Sequence, residues 1–257
     1  MSNSTACQLL VSANTLDECK LLLDLKVPWV DLKDPRQGPL GRPSIELSVA
    51  LASMMSKESN SMRPWSFAGG ELSDWDHHRD WPLIEALGID GHIKFGLAGC
   101  QDLERWMDSL SSLVGSMHRP QQAILVHYAD ESLVQAPSWE NVLEAALALG
   151  TDQLLIDTAI KDGTTLTDLL SPSQVARIID SAHDHALKIA VAGSIRLDGL
   201  TQLRKLNPDW IGIRGSVCSN VKDRNSSIDP DLVLKAMALM DRNYHRETNV
   251  LDPANSS

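Results

Sequence analysis

Eight short runs rich in valine, isoleucine and leucine alternate with longer amphipathic stretches along this 257-residue chain, at 8–12, 29–33, 64–68, 92–96, 123–128, 153–158, 188–192 and 210–214. This alternation restricts the fold more tightly than any other feature. Strands buried on both faces read as continuous apolar runs, and parallel neighbours need a crossover, usually a helix, between them. Helices are expected at about 15–26, 43–57, 80–88, 101–117, 138–149, 172–186, 197–206 and 230–241. Thr15 and Ser138 suit N-cap positions, Pro43, Pro172 and Pro230 suit the first helical turn, and Asn207-Pro208 stops a helix before the eighth strand. Eight β-α units predict an α/β fold, a single (β/α)8 TIM barrel. A doubly wound open sheet is the alternative, but no GxGxxG follows the first strand, as a dinucleotide fold would require.

The barrel domain is expected over 7–242, followed by a polar, disordered tail at 243–257. Glu71 to Asp80, ELSDWDHHRD, reads as a long polar loop after the third strand that could act as a lid. A net charge of −11 argues against nucleic acid as a partner, because that needs clustered Lys and Arg to displace counterions from phosphates. Any anionic substrate must be held by a local basic pocket. Cys7, Cys19, Cys100 and Cys218 are widely spaced with no CxxC pair and are read as reduced, buried thiols of a cytoplasmic protein. No apolar run approaches the ~20 residues of a membrane span, and no secretory leader pattern opens the chain. The sequence leaves open whether the chain forms a homo-oligomer.

Three of the strand-like runs carry a lysine at or near their end: Lys33 in WVDLKDP, Lys94 in HIKFGLAG and Lys161 in LLIDTAIKDG. Barrel active sites lie at the C-terminal ends of the strands, so these side chains are expected to converge there. Strand alternation puts Asp31 on the face of Lys33, His92 on that of Lys94, and Asp157 on that of Lys161 if the strand extends so far. Crowded cations and partial desolvation lower a lysine pKa, freeing an amine to attack a carbonyl. One lysine could then be a Schiff-base nucleophile while a second lysine or an aspartate moves protons. The bland alternative is a set of ion pairs closing the barrel top.

Small residues after strands seven and eight, Gly193-Ser194 and Gly215-Ser216, suit backbone contacts to a phosphate, to which Arg214 could add a bidentate contact. Asp74, Asp76, His77 and His78 form an acid-histidine cluster better read as an exposed loop than as a metal site. His127 is read as lining the mouth or, in preference, as a hydrogen-bonded core histidine.

These residues together resemble the (5-formylfuran-3-yl)methyl phosphate synthases over most of the chain. The most specific parts are Asp31-Leu32-Lys33-Asp34-Pro35, Ile93-Lys94-Phe95-Gly96-Leu97, Tyr128-Ala129-Asp130 and Asp157-Thr158-Ala159-Ile160-Lys161-Asp162-Gly163. Ala192-Gly193-Ser194-Ile195, Arg214-Gly215, Cys218 and Asp223-Arg224-Asn225 continue the likeness. The resemblance implies a TIM barrel and a cofactor-independent lyase. It implies that two molecules of glyceraldehyde 3-phosphate are joined into a phosphorylated furan aldehyde, with loss of one phosphate and water, in methanofuran biosynthesis and C1 metabolism. It further implies that Lys33 is the Schiff-base lysine, that Lys94 is the proton acceptor, and that Asp31, Asp157 and Lys161 line the site. Gly69-Gly70-Glu71-Leu72 departs from the archaeal form of the pattern. The rival readings are a class I aldolase-like enzyme acting on another phosphorylated aldehyde, and a noncatalytic phosphosugar-binding barrel.

Overall fold

A computed structural model of the chain describes residues 6–57, 63–88, 90–101 and 103–241. Eight parallel strands close into a barrel in sequence order: β1 (Gln8–Ala13), β2 (Trp29–Leu32), β3 (Trp65–Glu71), β4 (Gly91–Gly96), β5 (Ala123–Tyr128), β6 (Gln153–Asp157), β7 (Lys188–Val191) and β8 (Trp210–Ile213). The ring closes through β8 on β1, with Leu10 opposite Gly212. Around it run α1 (Leu16–Asp24), α2 (Ile45–Lys57), α3 (His77–Ala86), α4 (Leu103–Gly115), α5 (Trp139–Leu149), α6 (Leu166–Leu169), α7 (Pro172–Asp184), α8 (Leu200–Lys205) and α9 (Pro230–Met240). No helix among the described residues is long and apolar enough to cross a membrane. The single (β/α)8 barrel read from the sequence is the fold; the tail at 243–257 lies outside the described residues.

Two layers of apolar packing follow from strand alternation. Residues on the outer strand faces, such as Leu9, Val11, Val30 and Ile156, meet the inner faces of the helices through Leu22, Leu51, Leu83 and Val142. Residues of opposite parity, including Leu10, Trp29, Ile124, Leu155 and Trp210, fill the barrel interior. The Trp29 and Trp210 rings meet edge to face at 4.8 Å. Towards the C-terminal ends of β7 and β8 the inward positions are small, Ala190, Ala192 and Gly212, and the interior opens into a cavity there.

Helix starts match the local chemistry. Thr15 accepts from the Glu18 N–H, Ser138 accepts from Asn141, and Pro172 and Pro230 begin α7 and α9. Pro43 instead precedes α2, which starts at Ile45 with Ser44 accepting from the Leu47 N–H. The short α6 is an element the strand-helix count passed over, a single turn closed by a Thr165–Asp168 capping box.

The 71–80 segment departs from the expected open loop. Gly69 and Gly70 (φ +82°) form an irregularity that lets β3 run on to Glu71. Leu72–Asp74 then makes a 3-10 turn, and Asp76 caps α3 through the Arg79 N–H. Asp80 is buried rather than solvated, paired with Arg42 at 2.6 Å and Arg79 at 2.8 Å, while Arg42 stacks on Trp75. Asp76, Arg79 and Asp80, three of the charges that made this stretch look solvated, are spent on capping and pairing.

The tops of β3, β4 and β5 are locked by one buried contact. Tyr128 Oη donates to Glu71 Oε1 at 2.5 Å, and the Ala98 N–H donates to Oε2 at 2.9 Å. Burial pushes the Glu71 carboxyl above its usual range, against the hydrogen bonds that favour its charged form. Both groups lie over Gly96, where a Cβ would strike the carboxylate and the phenol oxygen. Gly96→Ala is therefore expected to cost about 1–3 kcal/mol, the usual cost of overpacking a tight site. Urea unfolding checks this, and an unchanged midpoint would contradict it.

Candidate active site

Asp31 projects into the barrel and is fully buried. Its Oδ1 accepts from Ser66 at 2.6 Å, its Oδ2 accepts from Ser12 at 2.8 Å, and Lys94 Nζ sits 2.6 Å from Oδ2. The Trp29 indole N–H fixes the Ser66 hydroxyl at 3.1 Å. Register explains the cluster, because Ser12, Asp31 and Ser66 are direct partners across β1, β2 and β3 and share the inward parity. Asp31 lies behind Lys94 and does not line the cavity; it holds the ammonium in place.

A second pair closes the other side. Asp157, at the end of β6, accepts from Lys161 at 2.7 Å and from the Thr158 N–H at 2.7 Å, and Lys161 also donates to Thr158 Oγ1 at 3.0 Å. Burial opposes ionisation of Asp157, but Lys161, Lys33 and these hydrogen bonds outweigh it and hold the carboxyl below its usual range. Asp130 orients the turn carrying Lys161 by accepting from the Ala159 and Ile160 N–H groups.

Lys33 differs from the other two lysines. It follows β2, is 8% exposed, and its Nζ has no hydrogen-bond or ion-pair partner among the described residues. Burial lowers its pKa from 10.5 to about 7; the charge of Asp157 opposes this, and Arg224, Lys94 and Lys161 add to it. At neutral pH about half of Lys33 is therefore free amine, and it stands between two short lysine–aspartate pairs.

Lys33, Lys94, Asp157 and Lys161 open into one cavity of about 950 Å³, which Gly193, Ser194, Gly215 and Ser216 also line. The N–H groups of these four small residues find no acceptor among the described residues, and Ser216 Oγ is buried without a partner. Gly193 has φ +111°, and a Cβ there would press on Thr158 and Leu166. This is a concave, donor-rich edge suited to an oxyanion.

Arg214 departs from the expected bidentate contact. It is 4% exposed, and its guanidinium donates to Ser12 O, Glu18 Oε2, Arg224 O and Ser226 O at 2.8–3.3 Å. All three of its nitrogens are engaged in joining β8 to the end of β1, to α1 and to the loop before α9. His127 has outward parity, packs on Trp139 with ring centroids 5.7 Å apart, and is pushed by burial to a pKa of about 4, so it belongs to the outer core and not to the mouth. The four cysteines are buried and unbridged, as expected. In the acid-histidine stretch Asp76 serves as a helix cap, and the side chains of His77 and His78 lie outside the description.

Sequence reasoning passed over Ser12 and Ser66 as ligands of Asp31, the Glu71–Tyr128 contact, and Arg224 as a cavity residue. Strand parity could have found the serines, since both share Asp31's inward face. A closed β/α barrel with paired and unpaired lysines at the C-terminal end of its strands is the layout of a barrel enzyme. Residues 9–237 match the 4-HFC-P synthase family, and the chain belongs to it.

Relatives named (5-formylfuran-3-yl)methyl phosphate synthase include that of Methanocaldococcus jannaschii, 29% identical over 232 residues, covering 88% of this chain and 96% of the relative. That of Methanopyrus kandleri is 28% identical over 239 residues, covering 89% and 96%. These relatives mark the chain as an enzyme of the synthase type. Among solved structures, 3-hexulose-6-phosphate synthase from Salmonella typhimurium aligns with a TM-score of 0.54 at 16% identity, covering 91% of this chain and 98% of that one. N-(5'-phosphoribosyl)anthranilate isomerase from Pyrococcus furiosus aligns with a TM-score of 0.54 at 13% identity, with the same coverage. At such identities the two structures bear on the fold alone.

Proposed function

We propose that this enzyme joins two molecules of glyceraldehyde 3-phosphate into (5-formylfuran-3-yl)methyl phosphate, with loss of one phosphate and water, through an imine on Lys33. The observation that carries the reading is the contrast among the three lysines: two are held in short ion pairs, while the buried third is unpaired with a pKa of about 7. A neutral amine attacks a carbonyl, and loss of water gives an imine, which makes the neighbouring C–H acidic. Lys94 then acts as the proton acceptor, with Asp31 holding it in position.

Asp157 and Lys161 are suited to the proton transfers of phosphate elimination and ring closure. The free N–H groups of Gly193, Ser194, Gly215 and Ser216 receive a substrate phosphate. The proposed reaction requires no cofactor and proceeds in the cytoplasm as a step of methanofuran biosynthesis, a reading that membership of the 4-HFC-P synthase family supports.

Incubation with glyceraldehyde 3-phosphate, followed for inorganic phosphate and for the ultraviolet absorbance of a furan aldehyde, tests the reading. Both signals are expected to rise together. Condensation without phosphate or furan would replace the reading with an aldolase-like one, and reversible binding without chemistry would replace it with a phosphosugar-binding barrel.

A further inference from the structure

The cavity lining holds eight lysine and arginine side chains against three aspartates, although the whole chain carries a net charge of −11. Most of the buried members are accounted for: Lys94 and Lys161 by their aspartates, Lys33 as the free amine, and Arg214 by its network. Arg224 is not. It lies on the loop between β8 and α9, half-buried, and its guanidinium meets no hydrogen-bond or ion-pair partner among the described residues.

The backbone of Arg224 is firmly placed. Its carbonyl accepts from Arg214 Nε at 2.8 Å and from Cys218 Sγ at 3.8 Å. The loop is tied further by the Cys218–Ile228 bridge, by Ser219 N–H to Ser227 O at 2.8 Å, and by Ser226 Oγ to Asp223 O at 2.7 Å. Its side chain leaves this anchored position beside Gly215, where a Cβ would come within 3.9 Å of Arg224 Cβ. Gly215 and Ser216 are half of the donor-rich edge described above. The charge of Asp157 favours the guanidinium from a distance, but no carboxylate contacts it directly, and a partly desolvated guanidinium is costly unless an anion completes it.

We infer that Arg224 is the arginine that anchors the phosphate of a small phosphorylated aldehyde against Gly215-Ser216, and that Arg214 is the positioning residue that fixes Arg224. The inference rests on the proposed triose-phosphate reading for the identity of the ligand and deepens it: Arg224 makes the site select phosphate monoesters over their unphosphorylated counterparts. The charge of Arg224 also helps keep Lys33 neutral, so the phosphate anchor and the nucleophile are electrostatically linked.

Titration calorimetry of the full chain with glycerol 3-phosphate and with glycerol, neither of which carries a carbonyl, tests the anchor apart from the imine. The wild-type protein is expected to prefer glycerol 3-phosphate. Arg224→Gln should weaken that binding about 10- to 100-fold, the usual loss of a charge-assisted hydrogen bond, and Arg224→Lys should restore part of it. Circular dichroism should be unchanged, because the loop is tied by the Arg224 carbonyl and not by its side chain.

Equal affinities of wild type and Arg224→Gln, or no preference of wild type for the phosphorylated compound, would overturn the inference. Borohydride reduction with glyceraldehyde 3-phosphate, run in parallel, reports on the imine. A trapped adduct with Arg224-independent phosphate binding would refute the anchor alone; Arg224-dependent binding with no adduct would refute the imine alone.

Discussion

Lys33→Ala is expected to abolish turnover, by about four orders of magnitude or more, and to remove the adduct that borohydride traps from glyceraldehyde 3-phosphate. The fold should survive, because Lys33 Nζ holds no partner that its removal would leave unpaired. The same geometry fixes a pH dependence. With the amine pKa lowered to about 7 by burial and by neighbouring cations, trapping by wild type should fall below pH 7 and level off above it.

Stability carries a matching signature. The folded pKa lies below the 10.5 of a free lysine, so between about pH 7 and 10.5 the unfolded chain binds a proton that the folded site does not. This group's contribution to stability therefore rises as pH increases through that window, and Lys33→Met should remove that rise. A Lys33→Ala protein that still traps substrate would contradict the assignment of the nucleophile.

Lys94→Ala is expected to act on both chemistry and stability. Asp31 would keep its Ser12 and Ser66 hydrogen bonds but lose the ammonium at 2.6 Å, leaving a buried carboxylate without a counter-charge. Breaking one side of such a pair costs about 3–5 kcal/mol. Turnover should fall about 10²- to 10⁴-fold, the range of a lost general base, while the Lys33 adduct still forms. The double variant Asp31→Asn/Lys94→Met separates the two effects, since it should recover most of the stability in urea unfolding and none of the turnover. A Lys94→Ala enzyme as fast as wild type would exclude Lys94 as the proton acceptor.

The barrel was legible in the sequence because its signal is long-range and redundant: eight apolar runs, crossover segments between them, and capping residues such as Thr15 and Ser138 at helix starts. Lys33, Lys94, Asp157 and Lys161 were legible because strand order and parity alone carry a strand-end residue to the mouth. The serine ligands of Asp31 were less visible, since one serine on a strand gives no local cue and its role depends on register with two neighbours. Arg214 and Arg224 show the same limit more sharply. Arg214 directly follows β8 and Arg224 lies on the loop beyond it; both line the cavity, and only the three-dimensional course of the loop decides which guanidinium is spent on Glu18 and backbone carbonyls and which is left without a direct partner. The 71–80 segment misled for a related reason, because Asp80 looks solvated until its partner across the fold, Arg42, is known, and Asp76 reads as a loop charge until the helix it caps is seen.

The most direct test of the central claim is to incubate the protein with glyceraldehyde 3-phosphate and borohydride, digest it, and locate the reduced adduct by peptide mass spectrometry. One modification is expected, at Lys33. An adduct at Lys94 or Lys161, or no adduct under conditions where phosphate and a furan product appear, would contradict it.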